Sequence, residues 1–360
     1  MTTAIIFLLV LTVLVFVHEL GHFLAARMFG IRVDEFAIGF PPRIWSFVKG
    51  GTRYALNLLP LGGYVRIYGE HPDDEITSDS ILSKPRWQQA VVLVAGVTFN
   101  IIFAWLLISS SLMIGTKSVT EGFPPESIHN REVSIDFVAT GSPAEKAGLK
   151  SGDVLLLVSD KHTTLASSTL TISTVQNLTA SSSALSITYD ENGTQHTVTV
   201  IPQEGVVPGK KAIGISMSEI GTVQLNPIYA LGYGAVATYT LTKAVVVGLA
   251  TFIGNIFTGH ANFQDVSGPV GIAGVVGKAS RLGIAYFITI TAIISINLAA
   301  INVVPFPALD GGRLLVVAIE AIIRRPLKPS VINVVNMIGF CFLILLMILV
   351  TYKDIAKLFH

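Results

Sequence analysis

Four stretches of this chain carry no charged side chain: Thr2–Val17, Ala90–Gly115, Leu282–Leu309 and Val331–Tyr352. In the first, the apolar character continues past Glu19 to Met28. Each stretch is long enough to cross a hydrocarbon core of about 30 Å as a helix of roughly 20 residues. A chain in lipid must satisfy its own backbone hydrogen bonds, and long uninterrupted apolar runs do so as helices. Composition agrees, with 51% hydrophobic and only 13% charged residues among 360, which excludes a disordered chain. A net charge of +1 without a long basic run leaves no electrostatic footprint for a nucleic-acid partner. The single cysteine, Cys341, excludes an internal disulfide and a cysteine-based zinc cluster.

The first run reads as a span and not as a cleaved signal peptide. It lacks a basic leading segment, and no small-residue cleavage site precedes His18 and Glu19. Ile228–Phe257 is apolar and rich in Gly and Ala but carries Lys243 at its middle. We read it as a helix in the interface or packed against the bundle, with a fifth span as the alternative. The predicted architecture is a polytopic α-helical membrane protein of about four transmembrane helices, with both termini on one side. Seven Lys or Arg between Arg32 and Arg86, and four between Arg313 and Lys328, place those segments in the cytoplasm.

The stretch from about 116 to 227 then lies outside and reads as β-rich. Val133–Ala139 and Val154–Val158 have the β-branched character of strands. Leu185–Tyr189 and Gln195–Ile201 form an expected hairpin closed by Asp190-Glu191-Asn192-Gly193, and Thr163–Ser183 carries a short helix and loops. The segment Gly141-Ser-Pro-Ala-Glu-Lys-Ala-Gly148-Leu-Lys-Ser-Gly-Asp153 resembles the bacterial, circularly permuted type of PDZ domain, over about 75 residues. That resemblance implies binding of an extended peptide or chain end at a sheet edge. The expected division is an N-terminal membrane part at 1–115, a linker at 116–130 and a single PDZ-like domain at 131–204. A connector with the interfacial helix follows at 205–281, then a C-terminal membrane part at 282–360.

The chemistry starts inside the first run, at His18-Glu19-Leu20-Gly21-His22. Residues i and i+4 share a helix face, so both imidazoles reach one metal with Glu19 beside them. Zinc suits neutral imidazole nitrogens and keeps a coordination position for water, whose proton a neighbouring carboxylate can take. Ionisable groups within a span are costly and usually functional. A catalytic zinc normally has three protein ligands. His71 and His260 are rivals for the third place, but neither lies in a spanning run. Asp310 ends the third run in Asn302-Val-Val-Pro305-Phe-Pro307-Ala-Leu309-Asp310-Gly311-Gly312, where two prolines break the helix and the glycines permit a tight turn. Spacing alone leaves Asp310 open between a third ligand and the N-cap of a helix starting near Arg313. Asn302 lies close to that break, where an amide can donate to a substrate backbone or a developing oxyanion. Asn100 and Asn297 read as interhelical packing amides.

His18-Glu-Leu-Gly-His22 in a first span, with Asn302…Pro305-Phe-Pro-Ala-Leu-Asp310-Gly in a later one, resembles the site-2 protease family of intramembrane zinc metalloproteases. It is most similar to the bacterial branch that includes the regulator-of-sigma-E protease. Asn57-Leu-Leu-Pro60-Leu-Gly-Gly-Tyr-Val65 and Ser267-Gly-Pro-Val-Gly-Ile-Ala273 resemble stretches of the same branch. The resemblance runs almost end to end. It implies one Zn2+ per chain on His18, His22 and Asp310, Glu19 as the catalytic carboxylate and a substrate contact at Asn302. It also implies a multi-pass protein of the bacterial inner membrane, acting on single-pass membrane proteins such as anti-sigma factors, or on remnant signal peptides. Two departures stand out. Gly39-Phe-Pro-Pro42 replaces a more flexible Gly-Phe-Gly-Pro, and Ala95-Gly96-Val97 lacks the proline usual before Asn100.

A peptide bond in a membrane helix is hydrogen-bonded and shielded, so its hydrolysis requires unwinding. Thr52–Leu58 and Tyr64–Tyr68 alternate loosely around Pro60-Leu-Gly-Gly63, which predicts a β-hairpin over 52–68. Family resemblance puts it at membrane depth, with Asn57, Leu58, Pro60, Gly62 and Gly63 as candidate substrate contacts. A channel or transporter, or a membrane-anchored PDZ scaffold, would explain the spans or the outer domain but not the His-Glu-His pattern.

Overall fold

A computed structural model describes residues 2–70, 75–167, 169–191, 193–207, 210–260 and 266–357. The rival histidine His71 and the turn residue Asn192 lie outside the described residues. The chain divides into a membrane unit, Met1–Ser111 with Pro227–His360, and a β-rich unit, Leu112–Asn226.

In the membrane unit, helix α1 spans Thr2–Met28 and helix α2 Arg86–Ile114. Between them lie strands β1, Val33–Lys49, and β2, Thr52–Ile67. After the β-rich unit come α5, Pro227–Phe257, α6, Pro269–Leu282, α7, Ile284–Val303, α8, Asp310–Ile323, and α9, Pro329–Ala356. Among the described residues, five helices are long and apolar enough to cross a membrane: α1, α2, Pro227–Ile256 of α5, α7 and α9. With this many apolar helices, the chain is a multi-pass membrane protein.

Burial follows one side of α1. Val10, Leu14, His18, Gly21, His22 and Ala25 recur at three- and four-residue spacing and are all buried. Val10 and Leu14 pack on Val276 of α6, with Phe103, Ile294 and Leu298 around them. Ala25 and Ala26 pack on Val92 and on Val33 and Ile67 of the strands. The Ser295 hydroxyl donates to the Asn100 carbonyl at 2.8 Å and the Ser111 hydroxyl to the Ala285 carbonyl at 2.9 Å. The order of these two ties makes α2 and α7 antiparallel.

The hairpin differs from its sequence reading. Its tight turn is Gly50-Gly51, both at positive φ, where Lys49 faces Thr52. Glycine takes that conformation without steric cost. Pro60-Leu-Gly-Gly63 is not a turn but part of β2. Thr52–Leu58 and Tyr64–Ile67 are not partners either, because the first half of β1 lies between them. Phe36, Ala37 and Ile38 face Val65, Tyr64 and Gly63 on one side and Tyr54, Ala55 and Leu56 on the other. Strand alternation names a face but not a neighbour, so the intervening strand was not visible in the pattern.

The β-rich unit holds β3 (Thr116–Val119), β4 (Ile128–Val138), α3 (Pro143–Lys146), β5 (Val154–Ser159), β6 (Thr164–Ala166) and α4 (Ile172–Ser181). It continues with β7 (Leu185–Glu191), β8 (Thr194–Val200), β9 (Gln203–Val207), β10 (Lys210–Ala212) and β11 (Ile215–Val223). The main sheet runs β3-β11-β4-β5-β7-β8, with β6 on β5. Val133, Ile135, Leu155, Val158, Leu185 and Ile187 of the strands meet Val175 and Leu178 of α4 in one core. Ser142 caps α3 by accepting from the Glu145 N–H, while the Glu145 carboxylate accepts from the Gly141 N–H at 2.6 Å, a reciprocal capping arrangement. Strands β3 and β11 belong to this sheet although they lie outside 131–204.

Candidate metal centre

His18 and His22 stand one turn apart on α1, both buried. Their Nε2 atoms are 3.1 Å apart. Asp310 arrives from 292 residues away, its Oδ2 at 2.9 Å from His18 Nε2 and 3.2 Å from His22 Nε2. Among the described residues this is the one group of three or more His, Cys, Asp or Glu whose ligand atoms lie within 4.8 Å of one another.

The break that delivers Asp310 is built from the sequence upward. Helix α7 stops at Val303, and the chain passes through Pro305 and Pro307 before α8 begins at Asp310 itself. Leu309 holds the N-cap position and no side chain caps the helix. The N-cap alternative for Asp310 therefore falls, since its carboxylate turns to the imidazoles. The glycines act otherwise than expected. Neither Gly311 nor Gly312 has a positive φ, which falls at Ala308 instead (φ 72°). A Cβ on Gly311 would collide with the Val303 and Val304 carbonyl oxygens, and one on Gly312 with that of Phe306. Their absent side chains let α8 fold back against the end of α7.

The imidazoles are held from behind. His22 Nδ1 donates to the Val92 carbonyl at 2.8 Å, which keeps the proton off Nε2 and leaves that lone pair facing the cluster. A Cβ on Gly96 would run into both rings, and one on Gly21 would sit 2.5 Å from the Ala95 carbonyl oxygen. These two glycines allow α1 and α2 to approach at the site. Nothing local in the sequence marked them, because small residues are common in apolar helices.

Glu19 points to the strands. The Val65 N–H donates to its Oε2 at 3.0 Å. The course of β2 beside α1 is pinned again where the Thr12 hydroxyl donates to the Pro60 carbonyl at 2.8 Å. Gly62, at φ 131°, lies against the Val15 side chain, and Gly63 packs on the Ala37 carbonyl. Leu58 and Pro60 are exposed, whereas Asn57 is buried and donates to the Gly39 carbonyl at 3.0 Å within the sheet. Asn302 is half-buried in the last turn of α7. Asn297 donates to Ile293 of its own helix, and His260 is exposed.

Two imidazole nitrogens and a carboxylate oxygen within about 3 Å present lone pairs to one point, which a cation satisfies and an empty contact does not. The set matches a three-ligand catalytic zinc with an open fourth position. The sequence pattern of peptidase family M50 matches residues 6–346. The chain belongs to peptidase family M50. Relatives of this M50 peptidase match over the full length. A zinc metalloprotease RasP of Oceanobacillus iheyensis is 30% identical over 447 residues, covering 100% of each chain. The regulator of sigma-W protease RasP of Bacillus subtilis is 30% identical over 437 residues, 99% of each. A putative zinc metalloprotease of Clostridium perfringens is 33% identical over 350 residues, 97% of each. The M50 peptidase is accordingly a zinc metalloprotease of the site-2 protease type.

Proposed function

We propose that this chain is an intramembrane endopeptidase that cuts the transmembrane segments of single-pass membrane proteins, with anti-sigma factors or remnant signal peptides as the substrate class. The observation that carries this reading is the convergence of His18, His22 and Asp310 inside a bundle of apolar helices. One zinc per chain is held by those three residues. Bound there, zinc lowers the pKa of water to about 7 and polarises the scissile carbonyl.

The chain's own groups do the rest. Glu19, oriented by the Val65 N–H, takes the proton of the attacking water and delivers it to the departing amine nitrogen. The Asn302 amide, at the end of α7, donates to the substrate backbone or the oxyanion. The Val65 N–H leaves β2 on the side away from β1 and toward Glu19, so the edge formed by Gly63–Ile67 borders the same space as the carboxylate. An unwound substrate adds to that edge as an extended strand. Leu58, Pro60, Gly62 and Gly63 line its approach, and Asn57 holds the sheet together.

Four helices cross the bilayer in this reading, α1, α2, α7 and α9, and α5 lies at the interface. Near its start, the Leu231 carbonyl accepts from Trp105 Nε1 at 2.9 Å, in the half of α2 that pairs with the start of α7. Beyond its end, Gly271 donates to Asp354 in the last turns of α9. Asp354 is roughly 22 Å along α9 from Gly339, which packs on Pro307 next to the metal cluster. The start of α5 thus lies at the end of the bundle remote from the site, and α6, which follows it, begins there too. Lys243 is exposed halfway along α5, a position that lipid disfavours and an interface tolerates. The basic segments then put the metal cluster near the cytoplasmic face and the β-rich unit outside.

The β-rich unit is a single PDZ-like domain. Strand β3 pairs with β11 over Ile220–Val223 and Thr120 closes on the Glu219 carbonyl, which leaves Ile215–Ser218 as the edge for an extended peptide or chain end. The test of function is cleavage of a tagged transmembrane substrate by purified enzyme, compared with Glu19→Gln and with a zinc chelator. Both should abolish cleavage, and undiminished cleavage by Glu19→Gln would overturn the assignment.

A further inference from the structure

His22 has a clear device for keeping its Nε2 free, and His18 needs an equivalent one. Its Nδ1 faces Asn100 of α2, a residue with no exposed surface, at 3.3 Å from Nδ2. In that arrangement the amide N–H donates to Nδ1, which puts the His18 proton on Nε2, pointing into the cluster. The same arrangement leaves Asn100 Oδ1 buried with no hydrogen-bond partner. A buried amide oxygen without a partner costs about 1–3 kcal/mol. An asparagine amide can present either end to a neighbour. Turned end for end, it places Oδ1 on His18 Nδ1. Oδ1 then accepts from Nδ1–H while Nδ2 takes its former place, the imidazole proton leaves Nε2, and the Nε2 lone pair faces Asp310 and His22.

We propose that Asn100 is the positioning residue of the metal centre, accepting the Nδ1–H of His18 and so fixing the tautomer and ring orientation that a metal requires. Asn100 thereby does for His18 what the Val92 carbonyl does for His22. It is held for the task, since its own carbonyl accepts from the Ser295 hydroxyl at 2.8 Å, locking this turn of α2 to α7. A purely packing amide would be served by any residue of similar volume. A tautomer-fixing one needs an acceptor atom at this place.

This inference rests on reading His18 as a zinc ligand, and the test separates the two. Zinc affinity of purified full-length protein is measured by chelator competition for wild type, Asn100→Leu, Asn100→Asp and His22→Ala, with thermal unfolding of each as the folding control. Asn100→Leu, with the same branched skeleton but no acceptor, should weaken zinc binding about 10–100-fold. Asn100→Asp, which keeps an acceptor oxygen, should stay within a few-fold of wild type. Should Asn100→Leu fail to fold, Asn100→Ala carries the same expectation. Wild-type affinity in a folded Leu or Ala variant overturns the proposal, as does an equal loss in Asn100→Asp. Zinc held equally by wild type and His22→Ala would instead overturn the metal site itself, and the tautomer assignment with it.

Discussion

Two carboxylates of the membrane unit, the half-buried Asp310 and the buried Asp354, show how surroundings separate a chemical role from a structural one. Asp354 sits in the last turns of α9, where it and Gly339 are the two buried residues among those described. Its Oδ2 accepts from the Gly271 N–H at 2.7 Å, at the N-terminus of α6, whose own N-cap Gly268 offers no side chain. Donor meets acceptor, and the carboxylate serves as a cap supplied by another helix. Asp310 meets two imidazole nitrogens, one of which is already committed as an acceptor by the Val92 contact behind it. With the His18 proton on Nδ1, acceptors meet acceptors there, and a cation would complete the set. An acid in an apolar bundle thus fits a metal site or a clasp according to whether its neighbours can donate.

Substitutions that test this contrast fall in a clear order. Asp310→Ala should remove bound zinc and all cleavage, read by metal analysis and by the substrate assay. Gly96→Ala comes next, because the new methyl group meets both imidazoles. It should weaken zinc binding by about tenfold or more while the helices still assemble, since ligand orientation controls affinity. Asp354→Leu should do the reverse. It leaves the Gly271 N–H without its acceptor and costs about 1–3 kcal/mol of stability, seen as a lower unfolding temperature, with zinc content unchanged. Loss of zinc in Asp354→Leu at temperatures where it is folded would erase the distinction.

The parts legible in the sequence were those whose signal is local. Absence of charge over some twenty residues marked α1, α2, α7 and α9, and the four-residue spacing of His18 and His22 placed both on one face. Asp310 was legible only as an alternative, because its choice between cap and ligand depends on a contact spanning 292 positions. The strands were recognisable but their neighbours were not. Pro60-Leu-Gly-Gly63 has turn composition, yet it runs straight through β2 because Gly62 and Gly63 meet Val15 and Ala37. The real turn at Gly50-Gly51 lay in a stretch with weaker alternation. Gly21 and Gly96 carried no signal of their role and Asn100 read only as a packing amide, since what matters at the glycines is a missing side chain and at Asn100 an amide facing a ring on another helix.

The most direct test of the metal centre is zinc stoichiometry of the purified full-length protein, measured for wild type, Glu19→Gln and Asp310→Ala. Near one equivalent is expected in wild type and in Glu19→Gln, with little or none in Asp310→Ala. A full equivalent retained by Asp310→Ala would contradict the assignment of its carboxylate as the third ligand.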